Sequence, residues 1–442
     1  MSGKTLTLRT IPVLGWVFLM YGVLRASRAQ PLRHPLLRVV WWIDAFLSIV
    51  VHAAQIPSAV RRGDRLGHSR IRTALLTLVF GLTWWKTQTN RSRGSSMKVL
   101  VTGASGFLGG RLARRLVEDG GNDVSVLVRR TSNLQDLGDL SQLSLVYGDL
   151  TDKDSLEAAT RGIDVVFHSA ARVDECGVRS QFVAENVDAT EHLLTSAKAN
   201  GVSRFVFISS PSALMEYDGG DQLNIDESVP YPKRYLNYYS ETKALAEQAV
   251  LDANEPGFVT CALRPRAIWG PGDRSGPIVR LLGRANTGAL PDLSGGRQVL
   301  ASLCHVDNIV DAAVKASRSD NVGGLAYFIA DDEVTDIWPF MAETARDFGI
   351  TPPTRKPNPR VVSAAVTAIE LIWKIPLLAN RYSPPLSRYV LALLTRSSTF
   401  DTGAARRDFG YTPVVDRDAG LADFKTWVQA QGGVAELTRD LK

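Results

Sequence analysis

Tyr239 and Lys243 lie four residues apart in a segment of helical character, downstream of the run Thr102-Gly103-Ala104-Ser105-Gly106-Phe107-Leu108-Gly109. That spacing places both side chains on one helix face. A phenol beside an ammonium can exchange protons near neutral pH, because a neighbouring positive charge lowers the phenol's pKa. The spacing alone also fits any helix surface, so what gives it weight is its position in the chain. Tyr235 and Tyr238 are competing phenols, but only Tyr239 has a lysine four positions on.

The glycine run supplies that position. Gly103, Gly106 and Gly109 fall between an apolar stretch at 98–102, read as a buried strand, and a helix-like stretch at 111–118. Glycine allows a tight turn there and lets backbone amides approach a pyrophosphate at the helix N-terminus. Gly103, Ser105, Gly106, Phe107, Leu108 and Gly109 are therefore the candidate cradle for a dinucleotide. The next strand ends at Leu127-Val128-Arg129-Arg130 with no carboxylate to take a ribose 2′-hydroxyl. Arg129 at that place favours a 2′-phosphate, hence NADP over NAD. Alternatively Arg129 stacks on the adenine or faces solvent.

Apolar runs at 143–146, 165–168, 205–208 and 260–263 continue a strand–helix alternation from residue 98. Such alternation predicts an α/β fold, a Rossmann doubly wound parallel sheet, with a smaller C-terminal substrate lobe. The expected organisation is a helical membrane region and linker at 1–96, a dinucleotide-binding domain at 97–270, and a lobe at 271–442 partly interleaved with the sheet.

The net charge of +6 hides two halves. Residues 1–96 carry fourteen Lys and Arg against Asp44 and Asp64, so residues 97–442 are acidic overall. These basic residues bracket three apolar runs, at 11–24, 39–60 and 73–85, which hold Trp16, Trp41, Trp42, Trp84 and Trp85. Basic flanks with tryptophans suit a membrane interface and lipid contact better than nucleic acid. Only the second run approaches the roughly 20 residues needed to span, and it contains Asp44 and His52. A cleavable signal peptide is not expected, since further apolar runs follow the first. The three scattered cysteines, Cys176, Cys261 and Cys304, point to a reducing compartment and no zinc site.

Taken in order, the glycine run, Gly148-Asp149-Leu150, His168-Ser169-Ala170-Ala171, the Tyr239 to Lys243 segment and Arg264-Pro265 resemble the extended short-chain dehydrogenase/reductase family over about residues 97–430. The segments Arg264-Pro265-Arg266-Ala267-Ile268-Trp269-Gly270-Pro271-Gly272-Asp273 and His305-Val306-Asp307-Asn308 are similar to its 3β-hydroxysteroid (sterol) dehydrogenase branch, as is the tail from Ser387 to Tyr411. The resemblance implies a catalytic set of Ser210, Tyr239 and Lys243. It implies cofactor contacts from Asp149 and Leu150 at the adenine, Ala170 and Ala171 near the nicotinamide ribose, Pro265 beside the nicotinamide, and Ser209, one residue before the catalytic serine. Asn186 falls on a mostly structural position. A homodimer is a family expectation.

The implied activity is hydride transfer to or from a lipophilic secondary alcohol or ketone, with a 3β-hydroxysteroid or sterol foremost, by a membrane-associated enzyme whose catalytic domain faces the cytoplasm. A long-chain β-keto or β-hydroxy acid reductase, a sugar-nucleotide epimerase or dehydratase, and a non-catalytic NADP-binding sensor or scaffold are the alternatives. His168 and His305 read as packing or hydrogen-bonding residues. The apolar stretch at 361–378, interrupted by Glu370 and Lys374, reads either as a core helix of the lobe or as an amphipathic lid at the bilayer.

Overall fold

The computed structural model describes residues 3–28, 34–65, 70–80, 96–138, 140–174, 177–373, 384 and 386–439. The chain forms two units, Met1–Ser96 and Met97–Lys442.

The first unit is helical. A helix at Gly3–Ser27 is followed by a continuous helical run through Pro35–Ala45, Phe46–Val51 and His52–Arg65, then a helix at Arg70–Phe80. Within it, Pro35–Pro57 is 23 residues long and apolar enough to cross a bilayer. Asp44 and His52, in the middle of that stretch, find partners inside the unit. Asp44 accepts from the Ser48 hydroxyl at 3.3 Å, and a His52 ring nitrogen lies 2.9 Å from the Leu78 carbonyl oxygen. The Trp16 and Trp41 indoles donate to the Val79 and Leu19 carbonyls. The apolar side chains point outward instead: Trp42 is 68% exposed, and Ile43, Phe46 and Ile49 are exposed beside it. Trp84 and Trp85 lie outside the described residues.

The second unit is built on seven parallel strands: β1 (Met97–Thr102), β2 (Asn122–Val128), β3 (Ser144–Tyr147), β4 (Val165–His168), β5 (Arg204–Ile208), β6 (Val259–Pro265) and β7 (Leu325–Ile329). Their order in the sheet is β7-β6-β5-β4-β1-β2-β3. The strand order reverses between β1 and β4, opening a crevice at their carboxyl ends where α/β sheets bind ligands. Helices cover both faces, which explains why these strands read as unbroken apolar runs. Val99 and Val101 pack on one side with Leu112 and Leu116, and Leu100 on the other with Leu193 and Phe205.

A second sheet of four short strands carries the lobe, in the order Val334–Asp336, Leu300–Ser302, Ser398–Phe400, Gln222–Ile225. Residues 97–270 and 271–442 are thus interleaved: β7 joins the main sheet from beyond residue 270, and Gln222–Ile225 joins the lobe from before it.

Candidate active site

Each loop that leaves a strand at the carboxyl edge of the sheet brings in one part of the site. After β1 the chain turns through Gly103 at φ +72° into helix α1 (Phe107–Glu118), which Gly106 precedes in an extended conformation without a side-chain cap. The first amides of α1 are therefore left for an external acceptor. A Cβ at Gly103 would lie 2.8 Å from the Ala170 nitrogen, and one at Gly109 would lie 2.4 Å from the Gly103 carbonyl oxygen. Neither backbone atom can yield, so these two positions need glycine. The cradle fits a pyrophosphate by its free amides and its missing side chains.

Thr102 ties β1 to the loop after β4. Its hydroxyl lies 2.7 Å from His168 Nδ1 and accepts the Ala170 N–H at 3.2 Å, while Ser169 donates to the Thr102 carbonyl at 3.1 Å. His168 Nε2 is 3.0 Å from the Thr190 hydroxyl. Burial pushes the imidazole down to about 3, so it stays neutral and acts as a strut. These bonds set Ala170 and Ala171 at the floor of the crevice. Asn186 is a second strut: it accepts the Arg172 N–H at 2.7 Å and donates to the Arg172 carbonyl and the Thr242 hydroxyl.

On the adenine side, Arg129 and Arg130 are exposed after β2, and Arg130 stacks over the Tyr147 ring at 5.0 Å. Asp149, after β3, turns its carboxylate onto the Thr151 amide at 2.9 Å and the Thr151 hydroxyl at 2.7 Å. Those two bonds, with the charge of Arg129, hold the carboxyl below its usual range. Leu150 packs into the core under the sheet.

Tyr239 and Lys243 lie on α2 (Tyr238–Asp252), whose first turn is capped by Asn237 accepting the Ser240 N–H at 2.9 Å. The Ser210 hydroxyl lies beside the Tyr239 phenol and favours its ionised form, and it hydrogen-bonds the Ser212 hydroxyl at 2.9 Å. Ser210 follows β5, opens the short turn Pro211–Leu214, and accepts the Ser212 N–H at 3.2 Å. Ser209 is buried with its hydroxyl unpartnered, and Pro265 is buried at the end of β6. The fold thus brings Ser210, Tyr239 and Lys243 to the carboxyl edge with Ser209 and Pro265.

One electrostatic expectation is overturned. The ammonium does not lower the phenol's pKa: Lys243 Nζ donates to the Ile208 carbonyl at 2.5 Å and sits 4.0 Å from the Phe207 ring centre. Burial raises Tyr239 above the usual tyrosine value, and the nearby Ser210 hydroxyl only partly opposes it. Burial also pushes Lys243 down to about 7. Tyr239 therefore rests as a phenol, ready to donate a proton.

A cavity of about 110 Å³ opens beside Ser210. Its wall is apolar, with Met215, Ile278, Leu281, Leu303 and Phe340, and it is interrupted by Arg266 and Tyr389. The Tyr389 ring, on helix α4 (Arg388–Thr395), meets the Tyr239 ring edge-on with centres 6.2 Å apart. Whole-ligand pockets run to roughly 300–1,000 Å³, so this space has room for part of a ligand. Arg266 and Met215 were not singled out as site residues in the sequence. Arg266 carried a signal, as a second charge two positions after Arg264 in a mostly apolar segment, but nothing local indicates where it points.

The stretch expected as a core helix or a lid forms α3 (Pro359–Ile372). It is not a core helix: Val366 is its one buried residue, and Val361 and Leu371 are 65% and 60% exposed. Residues 374–378 lie outside the described part.

Known proteins place this geometry in context. A family model described as the 3-beta hydroxysteroid dehydrogenase/isomerase family matches residues 100–360. The chain is 33% identical over 337 residues to a 2-alkyl-3-oxoalkanoate reductase of Shewanella oneidensis, spanning 74% of this chain and 84% of that one. It is 32% identical over 341 residues to a 3-beta-hydroxysteroid dehydrogenase of Mycolicibacterium neoaurum, spanning 74% and 90%. Among solved structures, gox2253 superposes with a TM-score of 0.62 at 25% identity, covering 76% of this chain and all but 1% of its own. MoeE5 in complex with UDP-glucuronic acid and NAD gives 0.58 at 25% identity, covering 76% and 99%.

Proposed function

The chain belongs to the 3-beta hydroxysteroid dehydrogenase/isomerase family, and from that premise we propose that it reduces a lipophilic ketone to a secondary alcohol, with NADPH as reductant. It is an NAD(P)-dependent oxidoreductase of the extended short-chain dehydrogenase/reductase type with a Rossmann sheet. The observation that carries the reading is the apolar cavity beside Ser210, lined also by Tyr389, whose ring packs edge-on against Tyr239.

A nicotinamide cofactor held in this crevice would supply the hydride for the carbonyl carbon. Ser210 donates a hydrogen bond to the carbonyl oxygen, and Tyr239 delivers its phenolic proton to that oxygen, completing the alcohol. Lys243, freed from the Ile208 carbonyl, holds the ribose hydroxyls. Gly103, Gly106, Gly109 and the first amides of α1 hold the pyrophosphate, with Ser105, Phe107 and Leu108 on the same turn. Ala170, Ala171, Ser209 and Pro265 border the nicotinamide half. Asp149 and Leu150 border the adenine, and Arg129 takes a 2′-phosphate. Two members of the class, a sterol-derived 3-ketone and a long-chain 3-oxo acid, differ in charge.

The test is a panel of sterols, 3-oxo and 3-hydroxy acids and UDP-sugars, each run with NADPH/NADP and NADH/NAD while nicotinamide absorbance is followed. Turnover of lipophilic ketones with NADPH preferred is expected. Turnover of the UDP-sugars alone would overturn the reading, and equal use of NADH would remove the role given to Arg129.

The proposal extends to location: the enzyme is held at a membrane by its N-terminal unit, with catalysis on the cytoplasmic side where nicotinamide cofactor is available. The 23-residue Pro35–Pro57 helix and its exposed Trp42, Ile43 and Phe46 support this. The full chain is expected to sediment with membranes through a high-salt wash, and a chain beginning at Met97 to remain in the supernatant. Recovery of the full chain in the supernatant refutes the anchor.

A further inference from the structure

Two arginines, Arg264 near the end of β6 and Arg266 just after it, lie two positions apart, and the fold treats them differently. Arg264 is paired in a bidentate bridge with Glu247, at 2.9 and 2.7 Å. Arg266 is as deeply buried, at 6% exposure, and among the described residues no carboxylate reaches it. Its Nη1 and Nη2 donate to the Ser398 and Leu393 carbonyls at 3.4 and 3.3 Å, both long for such bonds. Its Nε is buried with no acceptor.

The acidic residues nearest in the chain or against the neighbouring helix are committed elsewhere. Asp273 accepts the Ser275 and Gly276 amides, and Glu370 pairs with Arg388. Ala267, at φ +47°, turns the backbone directly after Arg266. Burial brings the guanidinium down to about 10, which leaves it charged at neutral pH. An uncompensated buried cation is costly in a folded protein, and a site that tolerates one awaits an anion.

Arg266 lines the same cavity as Ser210, between walls that are otherwise apolar. We propose that Arg266 binds a carboxylate on the substrate, so that the enzyme acts on a lipophilic oxo acid whose acid group lies a few bonds from the reacting carbonyl. The inference rests on the ketone-reductase reading above. It separates the two members of that class: an uncharged sterol-derived ketone leaves the buried guanidinium without a counter-charge. A carboxylate supplies the missing acceptor and sets the ketone at a fixed distance from Ser210 and Tyr239, and Arg suits this by its planar fork of donors.

The test compares a matched pair, 3-oxohexadecanoate and its methyl ester, in the full-length enzyme, in Arg266→Met and in Arg266→Lys. The wild type is expected to favour the acid over the ester by about 100-fold in kcat/KM, as befits a buried charge pair. Arg266→Met should lose about 100-fold on the acid, chiefly through KM, while its ester activity stays near that of the wild type. Arg266→Lys should recover part of the acid activity. NADPH binding, read by nucleotide fluorescence, should be the same in all three and so reports a folded protein. Equal use of acid and ester by the wild type, or equal losses on both in Arg266→Met, overturns the role of Arg266 while leaving the ketone-reductase reading intact. If the wild type reduces neither, nor any other ketone, both readings fall.

Discussion

Tyr239→Phe is expected to lower turnover by about 10²–10⁴-fold, the range for loss of a positioned general acid, while nicotinamide binding stays within a few-fold of wild type. The substitution removes one oxygen and keeps the ring that meets Tyr389 at 6.2 Å. The glycine cradle is on a different element and is untouched. Steady-state kinetics with cofactor titration measures both quantities, and surviving turnover would remove Tyr239 from the proton-transfer step. The pH dependence has a definite sign. Burial raises the phenol's pKa, so the proton needed for ketone reduction is present throughout the neutral range and is lost only on strong alkalinisation. Reduction should therefore be insensitive to Tyr239 ionisation around neutrality, whereas alcohol oxidation, which needs the phenolate, should rise with pH.

Glu247→Gln should cost the fold about 3–5 kcal/mol, the usual consequence of removing one partner from a buried ion pair. Glu247 is fully buried, holds Arg264 through both oxygens, and accepts the Tyr231 hydroxyl at 2.6 Å. The amide keeps the shape and removes the charge, which leaves the Arg264 guanidinium uncompensated under the sheet. Urea denaturation of variant and wild type measures the loss, and a shift below about 1 kcal/mol would mean that Arg264 finds another partner or water. The effect reaches the site as well: Glu247 lies one helical turn beyond Lys243 and its charge helps Lys243 stay protonated. Its neutralisation moves the Lys243 pKa further below about 7.

Much of the architecture was legible along the chain because it is local. Strands β1, β4 and β5 are short apolar runs beside glycine or serine turns, and their observed limits fall within a residue of those read from sequence. Helices begin where side chains can cap them, as Asn237 does for α2 and Asn358 for α3. The lobe sheet was not legible. Its strands are three or four residues each, and Gln222–Ile225 pairs with Ser398–Phe400 across more than 170 residues. No periodicity survives in so short a strand, and pairing at that separation leaves no local trace. β7 escaped for a related reason: Leu325–Ile329 lies deep in the C-terminal half yet forms the edge of the main sheet beside β6.

The same division holds within the site. Residue type and spacing along the chain were enough to mark a dinucleotide cradle at Gly103, Gly106 and Gly109 and to place Tyr239 and Lys243 on one helix face. Both follow from backbone geometry over a few residues, which local sequence controls. The charge state of those groups was decided by the tertiary structure. Burial, not the neighbouring ammonium, sets the Tyr239 phenol, because Lys243 is drawn to the Ile208 carbonyl. The contrast between Arg264 and Arg266 was decided in the same way. Two identical side chains two positions apart differ because Glu247, on α2, reaches one and no described carboxylate reaches the other. Desolvation and long-range Coulomb partners depend on what packs around a group, and that is settled only when the whole chain has folded.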